Sequence, residues 1–189
     1  MEKRHRIFIA INLPEEIKKE LARFYDKWPE LPAKWASKDN LHLTLEFLGN
    51  LNDVEIGEAC QIAGEVAKRH KPFSVNLNKI LYGPIKKMPP KFVWAIGESS
   101  EALANLKSDL QECLLEKIAF RPEQSRGFTP HITLARILEW EFRKFDLDER
   151  PEINENIDLI FSVDAIEVME SEKKRGGHVY TVIESCPLE

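Results

Sequence analysis

Cysteine is scarce in this chain. Cys60, Cys113 and Cys186 are odd in number, far apart and without a Cys-x-x-Cys pair, so neither a disulfide framework nor a zinc site follows from them. They read as small buried hydrophobes in a reducing compartment. Positive charge is not in excess: the net charge is −5, which argues against a protein that coats nucleic acid nonspecifically. No apolar run reaches the length of a membrane span. The start, Met1-Glu-Lys-Arg-His-Arg, runs straight into Ile7-Phe8-Ile9-Ala10-Ile11 without a cleavage pattern, so no secretory signal is expected and the chain is expected in the cytoplasm. No Pro/Ser/Gly linker separates two independent domains, so residues 1–189 are read as one domain. Glutamine is limited to Gln61, Gln111 and Gln124, beside abundant Glu and Lys, a composition that leans towards a thermophile.

What is present is a chain of ordinary globular composition, 43% hydrophobic and 31% charged, long enough to bury a proper core. Arg6–Leu13 reads as a strand, and Pro14 opens a helix through Ile17, Leu21, Phe24 and Tyr25. Leu31–Trp35 is a loop or short strand, Leu41–Leu48 a strand. Asn52 with Glu55 forms a capping box for a helix through Ile56, Cys60, Ala63 and Val66. Pro72–Tyr82 alternates as a half-buried strand, Gly83–Pro90 is a proline-bearing loop, and Phe92–Ile96 is another strand. Ser99 or Ser100 caps a helix through Leu103, Leu106, Leu110, Leu114 and Ile118. After a polar loop, Arg121–Gly127, come a strand over Pro130–Leu138 and an ambiguous charged stretch, Glu139–Glu149. Ile157–Met169 and His178–Glu184 read as two strands joined at Gly176-Gly177. An α+β fold with two antiparallel sheets and outer helices fits this order.

A four-residue pattern occurs twice, as His42-Leu43-Thr44-Leu45 and His131-Ile132-Thr133-Leu134, at a separation of 131 − 42 = 89 residues. Both copies lie in β-forming stretches. Successive strand side chains alternate between faces, so His and Thr emerge together while the aliphatic pair turns the other way. The offset is close to half the chain and implies a duplicated half. Two such strands facing one cleft supply two acid/base groups and two hydrogen-bond donors, which is what cleaving a phosphodiester without metal requires.

Other residues are candidates on weaker grounds. Arg121, Arg126, Arg136 and Arg143 bracket the second motif and could hold a phosphate. Phe47 could stack on a base. Strand parity puts both Phe47 and Arg136 on the face away from the histidines unless the strand bulges. Tyr180 and Trp35 are expected to border the groove. His5, His70 and His178 lack a threonine partner and are expected on the surface or in loops. Lys86-Lys87 and Lys173-Lys174-Arg175 read as solvated loops.

The stretches Arg6–Pro14, Asn40–Gly49 and Phe128–Arg136 and the Tyr180-Thr-Val ending resemble, across nearly the whole chain, the 2H phosphoesterase superfamily. They are most similar to its RNA 2′,3′-cyclic phosphodiesterase branch, also called the 2′-5′ RNA ligase or LigT-like family. The resemblance implies a bilobal fold of pseudo-twofold, duplicated lobes around a central cleft, one His-x-Thr motif per lobe, and no metal or nucleotide cofactor. It further implies RNA ends as the substrate and RNA processing as the setting. His42 is then the proton donor to the departing 3′ oxygen and His131 the acceptor that activates water. Thr44, Thr133 and Arg136 contact the phosphate, and the product is a 2′-phosphate. The chain is expected to act as a monomer, away from membranes.

The residues alone leave other readings open. The two histidines could hold a metal, although no carboxylate or cysteine stands at ligand spacing. They could read an RNA end without catalysis. Within the family, a ribose hydroxyl could attack in place of water, which is 2′-5′ ligation of RNA ends such as those of tRNA.

Overall fold

A computed structural model describes residues 3–118, 128–175 and 177–189. Strand β1 (His5–Asn12) alternates between two buried faces, Ile7, Ile9 and Ile11 on one and Phe8 and Ala10 on the other. Helix α1 (Glu15–Arg23) follows, with Pro14 at its N-cap. A short β2 (Ala33–Trp35) leads to the first motif strand, β3 (His42–Leu51). Helix α2 (Asp53–Ala67) opens on the expected capping box: Glu55 N donates to Asn52 Oδ1 at 2.9 Å, and Asn52 N to Glu55 Oε2 at 2.8 Å.

The antiparallel pair β4 (Phe73–Gly83) and β5 (Phe92–Gly97) precedes α3 (Glu101–Lys117), which Ser100 caps through its hydroxyl to Leu103 N. The second motif strand is β6 (His131–Ile137). A single helical turn, α4 (Glu139–Phe142), comes next, then β7 (Asn154–Val163), β8 (Ala165–Lys174) and β9 (Gly177–Pro187).

The strands run in the order β7-β4-β5-β6-β3-β1-β8-β9, all antiparallel, with β2 paired to β6. From the middle outward, the two halves have the same plan. Each begins with a motif strand, continues with the strand that precedes it in a β-α-β unit (β1 and α1 for β3, β5 and α3 for β6), and ends with two further strands. In place of two separate antiparallel sheets there is one continuous nine-stranded sheet, whose two halves are the lobes and meet edge to edge where Leu43 pairs with Ile132. Helices α2 and α3 pack together and against one face of this curled sheet, closing the main core there. On the opposite face Phe8, Ala10 and Met169 form a small cluster against Tyr180.

The stretch read as one strand over Ile157–Met169 is two. Its apolar alternation is continuous, but Asp164 breaks the pairing: Val163 pairs with Phe73 in one lobe, whereas Ala165 pairs with Pro187 in the other. Asp164 is held at this crossing, its backbone oxygen accepting from Leu188 N at 2.8 Å and its carboxylate from Ser162 Oγ at 2.8 Å. Of the cysteines only Cys186 is buried; Cys60 and Cys113 are half-buried, and Cys113 Sγ accepts from the Arg69 guanidinium at 3.2 Å.

Candidate active site

The motif side chains lie at the seam between the lobes. Leu43 and Ile132 face each other, and antiparallel register then brings His42 beside Thr133 and Thr44 beside His131 on the opposite face. The apolar partners, Leu43, Leu45, Ile132 and Leu134, are buried in the main core. Each imidazole is fixed in the same manner. Nδ1 of His42 meets the carbonyl oxygen of Asn40 at 2.7 Å, and Nδ1 of His131 meets that of Thr129 at 2.8 Å. A carbonyl only accepts, so Nδ1 carries the hydrogen in both rings and Nε2 is the basic nitrogen of each neutral ring.

The surroundings of the two rings differ. His42 is hemmed in by the Phe8 ring at 4.9 Å and by Tyr180, edge-on at 5.1 Å. Burial holds its pKa below the ordinary value; the bond to Asn40 opposes this, and the charges of Lys18 and His131 add to the lowering. The two imidazoles are thus close enough to feel one another. His131 lies against the indole of Trp94, nearly parallel at 28° with centroids 4.0 Å apart. Burial raises the pKa of Tyr180, and the charges of Arg6 and Arg136 pull it back, so a guanidinium from each lobe acts on this phenol.

Residues 47 and 136 each stand five places after a motif histidine, and simple alternation would turn both away from the cleft. A bulge reverses that in both strands. Between Thr44 and Glu46 the pairing with β1 slips by one residue at Leu45; between Thr133 and Ala135 the pairing with β5 slips at Leu134, the equivalent position. Leu45 and Glu46 are consequently both buried, as are Leu134 and Ala135. Phe47 comes back to the histidine face, opposite Phe8 with ring centroids 6.2 Å apart. Arg136 does the same, its guanidinium 5.3 Å from the Phe92 ring centre.

The bulge in β3 is held from the other lobe. Lys107 on α3 pairs with the buried Glu46 carboxylate and donates to Leu45 O at 2.7 Å.

Tyr180 borders the groove, as expected. Trp35 does not: it stacks on Tyr25 at 4.7 Å and on Trp28 at 6.4 Å, against the main core, because parity along β2 gives the cleft face to Lys34, which pairs with Arg136. Arg143 pairs instead with Glu139 one helical turn away, at 3.8 Å. Arg121 and Arg126 lie outside the described residues. His70 lies in the loop between α2 and β4, as expected, whereas His5 is on strand β1. His5 is tied to Glu170 at 2.6 Å and His70 to Asp109 at 2.9 Å, both largely shielded. His178 is exposed, bonded to Ser171 Oγ at 3.2 Å, and its carbonyl accepts from Asn40 Nδ2 at 2.7 Å, which fastens the β8–β9 hairpin to the start of the motif strand. Phe8, Trp94 and Lys107 were not singled out from sequence. Phe8 and Trp94 had a signal, since each lies on the strand that must pair with a motif strand.

Among the described residues no three His, Cys, Asp or Glu side chains converge, and no helix is long and apolar enough to cross a membrane.

A histidine and a threonine from each of two like-built lobes, set side by side on one sheet, is the arrangement of the 2H phosphoesterases. The family model described as LigT like Phosphoesterase matches residues 11–94 and again 96–180. The chain belongs to that family, and the two matches coincide with the duplication read from the motif spacing. It is 31% identical to the RNA 2′,3′-cyclic phosphodiesterase of Thermotoga maritima, covering 97% of this chain and 96% of that one. To the Thermus thermophilus protein of the same name it is 30% identical, covering 97% and 90%. Its fold is similar to the crystal structure of TT0787 of Thermus thermophilus, with a TM-score of 0.82 at 29% identity and 97% coverage of both chains. It is similar in fold to E. coli LigT complexed with 3′-AMP, with a TM-score of 0.78 at 24% identity, covering 98% and 99%.

Proposed function

We propose that this phosphoesterase opens RNA 2′,3′-cyclic phosphate ends to 2′-phosphomonoesters by acid–base catalysis with two histidines and no metal. The observation that carries the reading is the matched setting of the two rings, each with Nδ1 bonded to the carbonyl two residues earlier and each beside the other motif's threonine. The names of the relatives in Thermotoga and Thermus support the substrate class.

In this mechanism neutral His131 takes a proton from water at Nε2 while the water oxygen attacks phosphorus. The P–O3′ bond breaks, and protonated His42 gives its Nε2 proton to the departing 3′ oxygen. Thr44 and Thr133 donate hydroxyl hydrogens to the non-bridging oxygens, and Arg136 grips them from the side. Phe47 stacks on the terminal base. The proton that leaves water on one ring is balanced by the proton delivered from the other, so one turnover inverts the protonation of the pair. The direction, with His42 as donor and His131 as acceptor, is the one the family resemblance implies. The anionic phosphate makes protonation of buried His42 favourable, because a negative charge alongside offsets the cost of desolvating the imidazolium.

The test is incubation of an oligonucleotide ending in a 2′,3′-cyclic phosphate with the protein in strong chelator, identifying the product by its susceptibility to a 3′-specific phosphatase. A 2′-phosphate formed at undiminished rate supports the reading. Loss of turnover in chelator, or a 3′-phosphate product, would sink it.

A further inference from the structure

Among the described residues, the aromatic ladder beside His131 has no counterpart at His42. The indole of Trp94 covers the imidazole face at 4.0 Å, the Phe92 ring follows Trp94 at 6.0 Å and 10°, and the Arg136 guanidinium lies 5.3 Å from the Phe92 ring centre. A stack of two π systems is therefore bounded at one end by a titratable ring and at the other by a permanent cation. The rings beside His42 meet it differently, Phe8 tilted at 36° and Tyr180 edge-on at 87°.

Two features show that the indole is placed for its face. Trp94 is half-buried but its Nε1 is shielded from solvent, and a buried indole N–H ordinarily finds an acceptor, yet among the described residues the Trp94 Nε1 hydrogen has none. The backbone also makes room for the ring: Trp94 lies over Gly83, where an added Cβ would come within 2.2 Å of indole Cδ2. Gly83 is at the end of β4, opposite Phe92, so the lack of a side chain there lets the indole lie flat enough to reach His131.

We propose that Trp94 is a positioning residue for His131: its π face fixes the imidazole plane, and it stabilises the positive charge that forms as His131 takes a proton from water. The catalytic half of this inference rests on the function proposed above; the stacking half does not. The electron-rich face of an aromatic ring attracts a cation, tryptophan most strongly and phenylalanine less. An imidazole on that face is consequently a stronger base than the same ring against an aliphatic side chain. Among the described residues the charged and titratable groups on this face of the neighbouring strands are His42 on β3, Arg136 on β6 and Lys34 on β2. The residues of β5 opposite them are Ile96, Trp94 and Phe92, so β5 contributes none.

The experiment titrates the His131 ring nitrogens by NMR in the substrate-free protein, for wild type, Trp94→Phe, Trp94→Leu and Gly83→Ala, each verified as cooperatively folded. Trp94→Leu is expected to lower the His131 pKa by about half a unit to one and a half units, the span that a cation–π contact represents. Trp94→Phe should recover part of that shift, and Gly83→Ala should lower the pKa with the tryptophan still present. In kinetics the limb of the kcat/KM profile that follows the His131 titration moves to lower pH by the same amount, while kcat falls more than KM rises. An unmoved His131 pKa in Gly83→Ala and in whichever Trp94 variants fold would overturn the proposal. So would equal loss of kcat in Trp94→Phe and Trp94→Leu with an unshifted limb, which marks a purely structural role. If wild type turns over no cyclic phosphate, the catalytic half of the inference falls with the functional reading, and the titration still decides the stacking.

Discussion

Leu43 on β3 and Ile132 on β6 face each other in the antiparallel pair that joins the two lobes, and both are fully buried. The register of four polar side chains on the other face depends on this apolar contact, because a slip of one residue would turn each histidine to the core side. Truncating Leu43 or Ile132 to alanine is expected to cost about 2–5 kcal/mol. Urea unfolding measures this. At temperatures where the variants remain folded, kcat should fall more than KM changes, since the loosened seam spoils the alignment of both rings.

Replacing either motif histidine tests acid–base catalysis directly. His42→Ala and His131→Ala should each lower kcat by about 10²–10⁴-fold. Affinity for a nucleoside 2′-monophosphate, measured by calorimetry, should change far less. Retention of hydrolysis in both variants would place the chemistry elsewhere, and an equal loss of binding would favour an RNA-end reader.

Acid should weaken the empty protein through His42. Its folded pKa lies below the unfolded value of about 6.5, so above that pH the ring is neutral in both states and contributes nothing to the pH dependence. As pH falls through about 6.5 towards the folded pKa, the unfolded chain takes up the proton that the native ring resists, and stability declines. Urea midpoints between pH 7.5 and 5 should drop less steeply for His42→Asn than for wild type. Binding of inorganic phosphate near pH 6.5 should draw in protons, seen as a dependence of calorimetric enthalpy on buffer.

The buried pair between Lys107 and Glu46 gives a prediction of opposite sign for single and double changes. Lys107→Met leaves a buried carboxylate and the Leu45 carbonyl without their donor, and should cost about 3–5 kcal/mol. Adding Glu46→Met should return most of that stability, because two well-packed apolar chains avoid the desolvation of both ions. Thermal denaturation of the four proteins measures the coupling.

Phe47 and Arg136 should separate base recognition from phosphate recognition. Phe47→Ala should weaken nucleotide binding by about 1–3 kcal/mol, and by much less for inorganic phosphate. Arg136→Lys should impair both ligands, since an ammonium cannot reproduce the two-pronged grip of a guanidinium.

Much of this architecture was legible in the sequence because the signals were local and repeated. The histidine–threonine spacing specified one face of a strand, Asn52 with Glu55 specified a helix start, and the 89-residue offset specified two lobes. The failures were of another kind. Nothing local distinguishes the continuous alternation through Asp164 from a single strand, because the break reflects which partner each half finds across the sheet. Parity alone could not decide Phe47 and Arg136, since a bulge is a property of the pairing and not of the residue. Trp35 is hidden from the sequence for a related reason: its stack on Tyr25 and Trp28 depends on where the turn that follows α1 packs. Trp94 lay in plain view on a strand, but its contact with His131 needed the pairing of β5 with β6 and the space over Gly83.

The equivalent placement of the two bulges has a further bearing. A scaffold whose halves are alike would accept a ligand in either of two orientations related by its own rotation, and only half the encounters would set the scissile bond the right way round. Here the same kink turns an uncharged aromatic inward on one side and a guanidinium on the other. In the proposed reaction a nucleotide, greasy at one end and anionic at the other, would meet a preferred direction in a frame that by itself has none, and that bias would set which ring receives the proton and which one surrenders it.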